Sequence, residues 1–137
     1  MKTLKNQHFL VAILLISFAF FLVQTHECQA QDWAVPAKYK SMNNPEKDSK
    51  EAVSVGKSLW KLHCASCHGN EGLGDGKKST ELDTPMREIG SKEVQAQTDG
   101  ELYYKSFIGR DEMPNFEKKI PSEKDRWLLV EYMRTLK

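Results

Sequence analysis

Apolar residues recur with helical spacing in three stretches of this 137-residue chain. In the first, Ala52, Val55, Gly56 and Leu59 fall on one stripe, which Trp60 widens. Asp48 and Glu51 precede it at capping-box spacing, with an acidic residue at the cap. The helix is expected to run directly into His63 and Cys64. The second stretch starts at another capping-box pair, Thr98 and Glu101, and continues through Leu102, Tyr103, Phe107 and Ile108, with Gly109 as its stop. In the third, Ser122 follows Pro121 as the expected cap, with Asp125 three residues on. Leu129, Tyr132, Met133 and Leu136 then repeat at i, i+3, i+4 and i+7. Trp127, Leu128 and Val130 make this face wider than one partner helix requires.

No convincing alternation marks a strand, so the pattern predicts an all-α domain over residues 49–137. Two long loops, 69–78 and 109–120, are rich in glycine and charge. Loops of this length are awkward in a small domain unless they wrap something. Three modest helices also supply a limited core. A large apolar cofactor would answer both difficulties. Residues 31–48 read as an extended lead-in, because Pro36, Pro45 and the Asn43-Asn44 pair disfavour a regular element. Trp33 and Val35 are its candidates for packing on the domain surface.

The N-terminus changes the compartment. Lys2 and Lys5 precede an apolar run over 9–23 whose only polar member is Ser17. The run is short for a permanent span, which needs roughly 20 apolar residues. It suits a secretory signal peptide over residues 1–30, with cleavage expected after Ala30. Glu27 and His26 before Cys28 argue against lipid attachment at that cysteine. The mature chain then keeps two cysteines, Cys64 and Cys67, and is expected to be exported, periplasmic and free of a membrane span. Removing Lys2, Lys5 and Glu27 from 20 basic and 19 acidic residues leaves 18 of each. A neutral chain offers no single-sign field for nucleic acid or an anionic membrane.

Three chemistries use the pair in "HCASCHG". Zinc needs four tetrahedral ligands, and His63, Cys64, Cys67 and His68 all lie within one tight turn, so the ligand count fails. A thioredoxin-like redox site sits beside a strand–helix–strand pattern that is not visible here. Covalent haem needs two cysteines at this spacing for two thioethers, and a histidine immediately after them for the iron. C-x-x-C-H is the sequence signal for that attachment. For the other face of the iron, His63 is tied beside Cys64 on the proximal side. That leaves methionine, from Met42, Met86, Met113 and Met133. Met133 belongs to the face of the last helix and Met42 to the lead-in. Met113, before Pro114 in an irregular loop, is the preferred distal ligand, and Met86, after Pro85, is the competitor.

The combination resembles a class I (monohaem) cytochrome c of the small exported bacterial type. "CASCHGNEGLGDG" is similar to the haem loop of that family, "GRDEMPNF" to its distal methionine loop and "EKDRWLLVEYMRTL" to its terminal helix. The resemblance implies an all-α class I cytochrome c fold, with three or more helices and long loops wrapped around one covalent haem c. It implies that Cys64 and Cys67 form the thioethers and that His68 and Met113 are the proximal and distal ligands. It implies that Pro85 offers its carbonyl to the His68 imidazole. It also implies that Gly56 permits a close helix crossing and that Trp60 packs on Leu129 and Tyr132. The function implied is electron transfer between protein redox partners, by a monomer or a subunit of a redox complex, and not an enzyme. The competing reading is a monohaem enzyme, or a gas or peroxide sensor with an open or labile sixth position. Lys77-Lys78 and Lys118-Lys119 flank the haem edge in the resembled family and are candidates for docking a partner.

Overall fold

The last helix organises the domain. In the structure, a computed structural model that describes residues 33–136, this helix (α6) spans Glu123–Met133. The expected signal peptide, its cleavage point and Cys28 lie outside the described residues. Ser122 caps α6 by accepting the Asp125 amide at 3.2 Å, and Glu123 and Asp125 place negative charge at its positive end. Trp127, Leu128, Leu129, Val130, Tyr132 and Met133 are all buried, so the helix is enclosed on nearly every side beyond its first turn.

The other elements pack around α6. A single turn, α1 (Ala37–Lys40), opens the described chain. A π-type turn, Ala52–Gly56, leads into α2 (Lys57–His63), and α3 (Ala65–His68) follows after Cys64. A 3-10 turn, Ser79–Glu81, precedes α4 (Lys92–Gln95). Helix α5 (Asp99–Tyr103) continues as a π-type turn, Tyr104–Ile108, which ends at Gly109 with φ 71°. Among the described residues there is no strand, in keeping with the all-α fold expected; one isolated antiparallel bridge joins Arg110 and Met113.

Gly56 sets the crossing with α6. A Cβ there would stand 2.5 Å from the Leu128 carbonyl oxygen and 2.7 Å from the Tyr132 Cβ. One turn on, the Trp60 ring packs on Tyr132 at 6.2 Å between centroids, and Leu129 is buried in the same cluster. The predicted capping box at Thr98 is present in both directions. The Thr98 amide donates to Glu101 at 2.8 Å, and the Glu101 amide donates to the Thr98 hydroxyl at 3.2 Å. At the far end of α6, the Arg134 guanidinium binds Asp99 and the carbonyls of Gln95 and Gln97, joining α6 to the α4–α5 connection.

The structure departs from the local expectations in three places. Asp48 caps nothing: its φ is 61°, and its amide donates 3.0 Å to Glu131 of α6. The other oxygen of Glu131 accepts Asn44 Nδ2 at 3.2 Å, so one carboxylate draws the end of the lead-in onto α6. The helix that was to start there begins instead as the π-type turn, with no side-chain cap. The lead-in is not wholly irregular either. Pro36 offers its carbonyl to the Tyr39 and Lys40 amides, and the Tyr39 ring packs 4.7 Å from that of Tyr104. Helix α4 was unforeseen because its four residues bury only Val94 and so show no period; Ser91 caps it.

Candidate functional site

Helix α2 delivers the cysteine pair. The Cys64 amide closes onto the Trp60 carbonyl at 2.8 Å, and the Cys67 and His68 amides both donate to the Cys64 carbonyl, at 3.2 and 3.0 Å. One helical turn therefore carries two thiols and an imidazole, and both thiols are free. After His68 the chain folds back on this turn through its own main chain. The amides of Gly74, Gly76 and Lys78 donate to the carbonyls of His68, Cys67 and Ser66 at 2.9, 3.2 and 2.8 Å. Gly76 permits the approach, since a Cβ there would lie 2.5 Å from both the carbonyl carbon and the oxygen of Cys67. Gly69, Gly72 and Gly74 have φ between 76° and 81°, a left-handed conformation suited to glycine.

Burial tunes the donors. It pushes the Cys64 thiol up to about 12, with Cys67 as a lesser cause, so Cys64 is protonated at neutral pH. It lowers His68 to about 4, so the imidazole is neutral at pH 7 and its lone pair is available to a metal. The Trp60 indole packs 5.8 Å from the His68 ring and donates to the Gly69 carbonyl at 2.9 Å. His68 Nδ1 is buried without a hydrogen-bond partner. The expected acceptor, the carbonyl of Pro85, does not reach it, and Pro85 lies exposed in the segment after the 3-10 turn.

The four methionines have different settings. Met113 closes a tight turn: its amide donates to the Arg110 carbonyl at 2.8 Å and its carbonyl accepts the Arg110 amide at 2.9 Å. Met113 packs, half-buried, on the same apolar cluster as Cys64 and Ala65. Met86 lies instead against Gly74, where an ideal Cβ would be 3.1 Å from its Cβ and its carbonyl oxygen. Met42 packs beside Gly100 at the start of α5. Met133 is buried in α6 and its sulfur accepts the Ser106 hydroxyl at 3.7 Å.

Three contributors escape sequence reasoning. The hydrogen bond from Trp60 to Gly69 is one, since the indole read only as helix packing. His63, expected on the proximal side, packs its ring edge-on against Phe116 of the 109–120 loop, at 6.0 Å between centroids. Glu112 accepts the amides of Asp83 and Thr84 at 2.9 and 3.0 Å, and these bonds, that of Asp83 foremost, hold its carboxyl below the usual carboxylate range. Nothing in its local sequence marks partners so far back along the chain.

Two thiols at C-x-x-C spacing, a neutral imidazole on the next residue and a thioether on a separate loop fit a covalently held iron porphyrin. Burial lowers the His68 pKa and leaves its imidazole neutral, as the iron of such a group requires. No curated protein sequence matches the chain. The family model described as cytochrome c oxidase, cbb3-type, subunit III matches residues 51–133, more than half of the chain and both candidate ligand loops. The chain belongs to that family and is a monohaem cytochrome c-type protein.

Proposed function

We propose that the chain is an exported one-electron carrier holding a single covalent haem c. Cys64 and Cys67 would hold the porphyrin through thioethers, with His68 and Met113 as the axial ligands. The observation that carries this reading is the single turn that holds two free thiols and a neutral imidazole; Met113, unlike Met86, packs with Cys64 and Ala65 on the buried cluster, which Met42 and Met133 also join. When bound, haem supplies the Fe(III)/Fe(II) couple, and ligation by Met and His sets a potential suited to electron transfer. The chain does the rest. Burial keeps the His68 imidazole neutral, Trp60 and the glycine turn fix the loop around it, and the closed 110–113 turn would offer Met113 as the sixth ligand. A site so supplied favours a carrier over an enzyme or a gas sensor.

The apolar run over 9–23 and the small residues ending at Ala30 support export to the periplasm with cleavage there. Among the described residues, no helix is long and apolar enough to cross a membrane. Partners are membrane or periplasmic redox proteins, and the family description favours a subunit of a redox complex over a free carrier. The exposed Lys77, Lys78, Lys118 and Lys119 are candidates for steering the encounter. Intact mass and a near-infrared spectrum of the secreted protein test the reading. The expected mass is residues 31–137 plus one haem, and the expected ferric spectrum is low-spin with the methionine–iron band. A high-spin resting spectrum would replace this reading with that of an open-site enzyme or sensor.

A further inference from the structure

We propose that Glu112 is a positioning residue that ties the Met113 turn to the loop carrying His68, and so protects the Met113 thioether from displacement at iron. The inference rests on the haem reading given above. The turn over 110–113 is closed by two main-chain hydrogen bonds, so it moves as a unit. It joins α5 through Gly109, at φ 71°, and continues into exposed Pro114. Glu112, one residue before Met113, reaches across the chain, and each of its two oxygens accepts one amide, from Asp83 at 2.9 Å and from Thr84 at 3.0 Å. Charge-assisted bonds of this kind are stronger than those between neutral groups.

The connection continues to the other ligand. Two residues after Thr84, Met86 lies against Gly74, and the Gly74 amide donates to the His68 carbonyl at 2.9 Å. One side chain therefore completes an otherwise main-chain path from the Met113 turn to His68. Without Glu112, the turn keeps its packing on the core and the Phe116 amide bond to the Phe107 carbonyl, but loses its tie to the loop that carries His68. In the exchange being resisted, the sulfur–iron bond breaks and an incoming nitrogen binds iron in its place, with no change in oxidation state.

Imidazole binding to the ferric holoprotein, followed by stopped flow, reads this directly. At saturating imidazole the rate is limited by departure of the Met113 sulfur. Glu112→Ala should raise that limiting rate on the order of tenfold, the scale of one lost net hydrogen bond. Glu112→Gln, which keeps one accepting oxygen, should fall between the two. Asp111→Asn removes the same charge from the same turn and should leave the rate unchanged. Amide hydrogen exchange at Asp83 and Thr84 should accelerate in Glu112→Ala and not in Asp111→Asn. A limiting rate for Glu112→Ala within about twofold of the parent, the scatter expected between independent sites, would overturn the proposal. Equal effects of Glu112→Ala and Asp111→Asn would also overturn it, because charge rather than the two bonds would then be responsible. A parent protein that lacks the methionine–iron band and binds imidazole without saturation would defeat the carrier reading and the tie with it. A parent with the band but an indifferent Glu112→Ala would defeat the tie alone.

Discussion

The loop after His68 and the loop around Met113 are comparable in length but are held by different chemistry. In the first, successive amides donate back onto the C-x-x-C-H turn, and glycines let the main chains approach closely. Its one large apolar side chain, Leu73, is 51% exposed. The second has main-chain bonds of its own, in the closed turn over 110–113 and from the Phe116, Lys119 and Ile120 amides to the Phe107 and Phe116 carbonyls, and adds long side chains to them. Glu112 ties it to Asp83 and Thr84, and Arg126 donates to the carbonyls of Ile120 and Pro121 at 2.6 and 3.1 Å. Main-chain fastening is insensitive to most substitutions, whereas side-chain fastening is open to adjustment one residue at a time. The loop after His68 is thus fixed chiefly by main chain, whereas side chains add an adjustable fastening to the loop around Met113.

The most severe break of this contrast is Gly76→Ala. Its Cβ would meet main-chain atoms of Cys67 and Ser66 at 2.5 to 2.6 Å, and none of them is the end of a flexible side chain. We expect a loss of about 3 kcal/mol in urea unfolding of the secreted protein, at the upper end for overpacking. Leu73→Ala in the same loop should cost under about 0.5 kcal/mol, as exposed positions do.

On the distal side, Met113→Ala should abolish the methionine–iron band and leave the haem attached. It should lower the potential on the order of 0.1 V, within the ~0.8 V range that axial ligands span. The shortened side chain should also cost about 2 kcal/mol. Met86→Ala should keep the band, which visible and near-infrared spectra and a redox titration would show. Loss of the band in Met86→Ala alone would move the distal role to the loop packed on Gly74.

Arg126→Met tests the far anchor of the distal loop. It removes bonds to Tyr103, Ile120 and Pro121 while keeping the aliphatic stem. A loss of about 2 kcal/mol is expected for charged hydrogen bonds of this kind, together with faster amide exchange at the end of the loop and little change at Gly74 and Gly76. Equal acceleration in both loops would show that they open as one unit.

A smaller effect than that of Arg126→Met should come from the root of the distal arm. Thr98→Ala removes the cap of α5 and should cost about 1 kcal/mol. The Thr98 amide, with help from Lys40 and Lys105, holds the Glu101 carboxyl below its usual 4.5. A depressed carboxylate stabilises the fold above the unfolded value, and this contribution fades as pH falls through the folded value. The gap between parent and Glu101→Gln in thermal melts should therefore be constant above about pH 5 and shrink below 4.5. A gap that persisted at lower pH would point to packing rather than the carboxylate.

Much of this was legible because its causes are local. The C-x-x-C-H turn, the reciprocal box at Thr98 and Glu101 and the Ser122 cap all join groups within five residues, so the chain carries their geometry wherever it folds. The stripe through Gly56 and Trp60 likewise announces a buried face, although only resemblance supplied its partner on α6. Tertiary structure decided the rest. Asp48 had the spacing of a cap, yet its amide went to Glu131, 83 residues away. Glu112 found Asp83 across 29 residues, and His63 turned to Phe116 on the opposite loop. A carboxylate accepts from whichever free amide the fold brings near, and an aromatic ring packs wherever a neighbouring ring leaves room. Residue type shows that such partners are needed, and only the folded arrangement of the loops selects them.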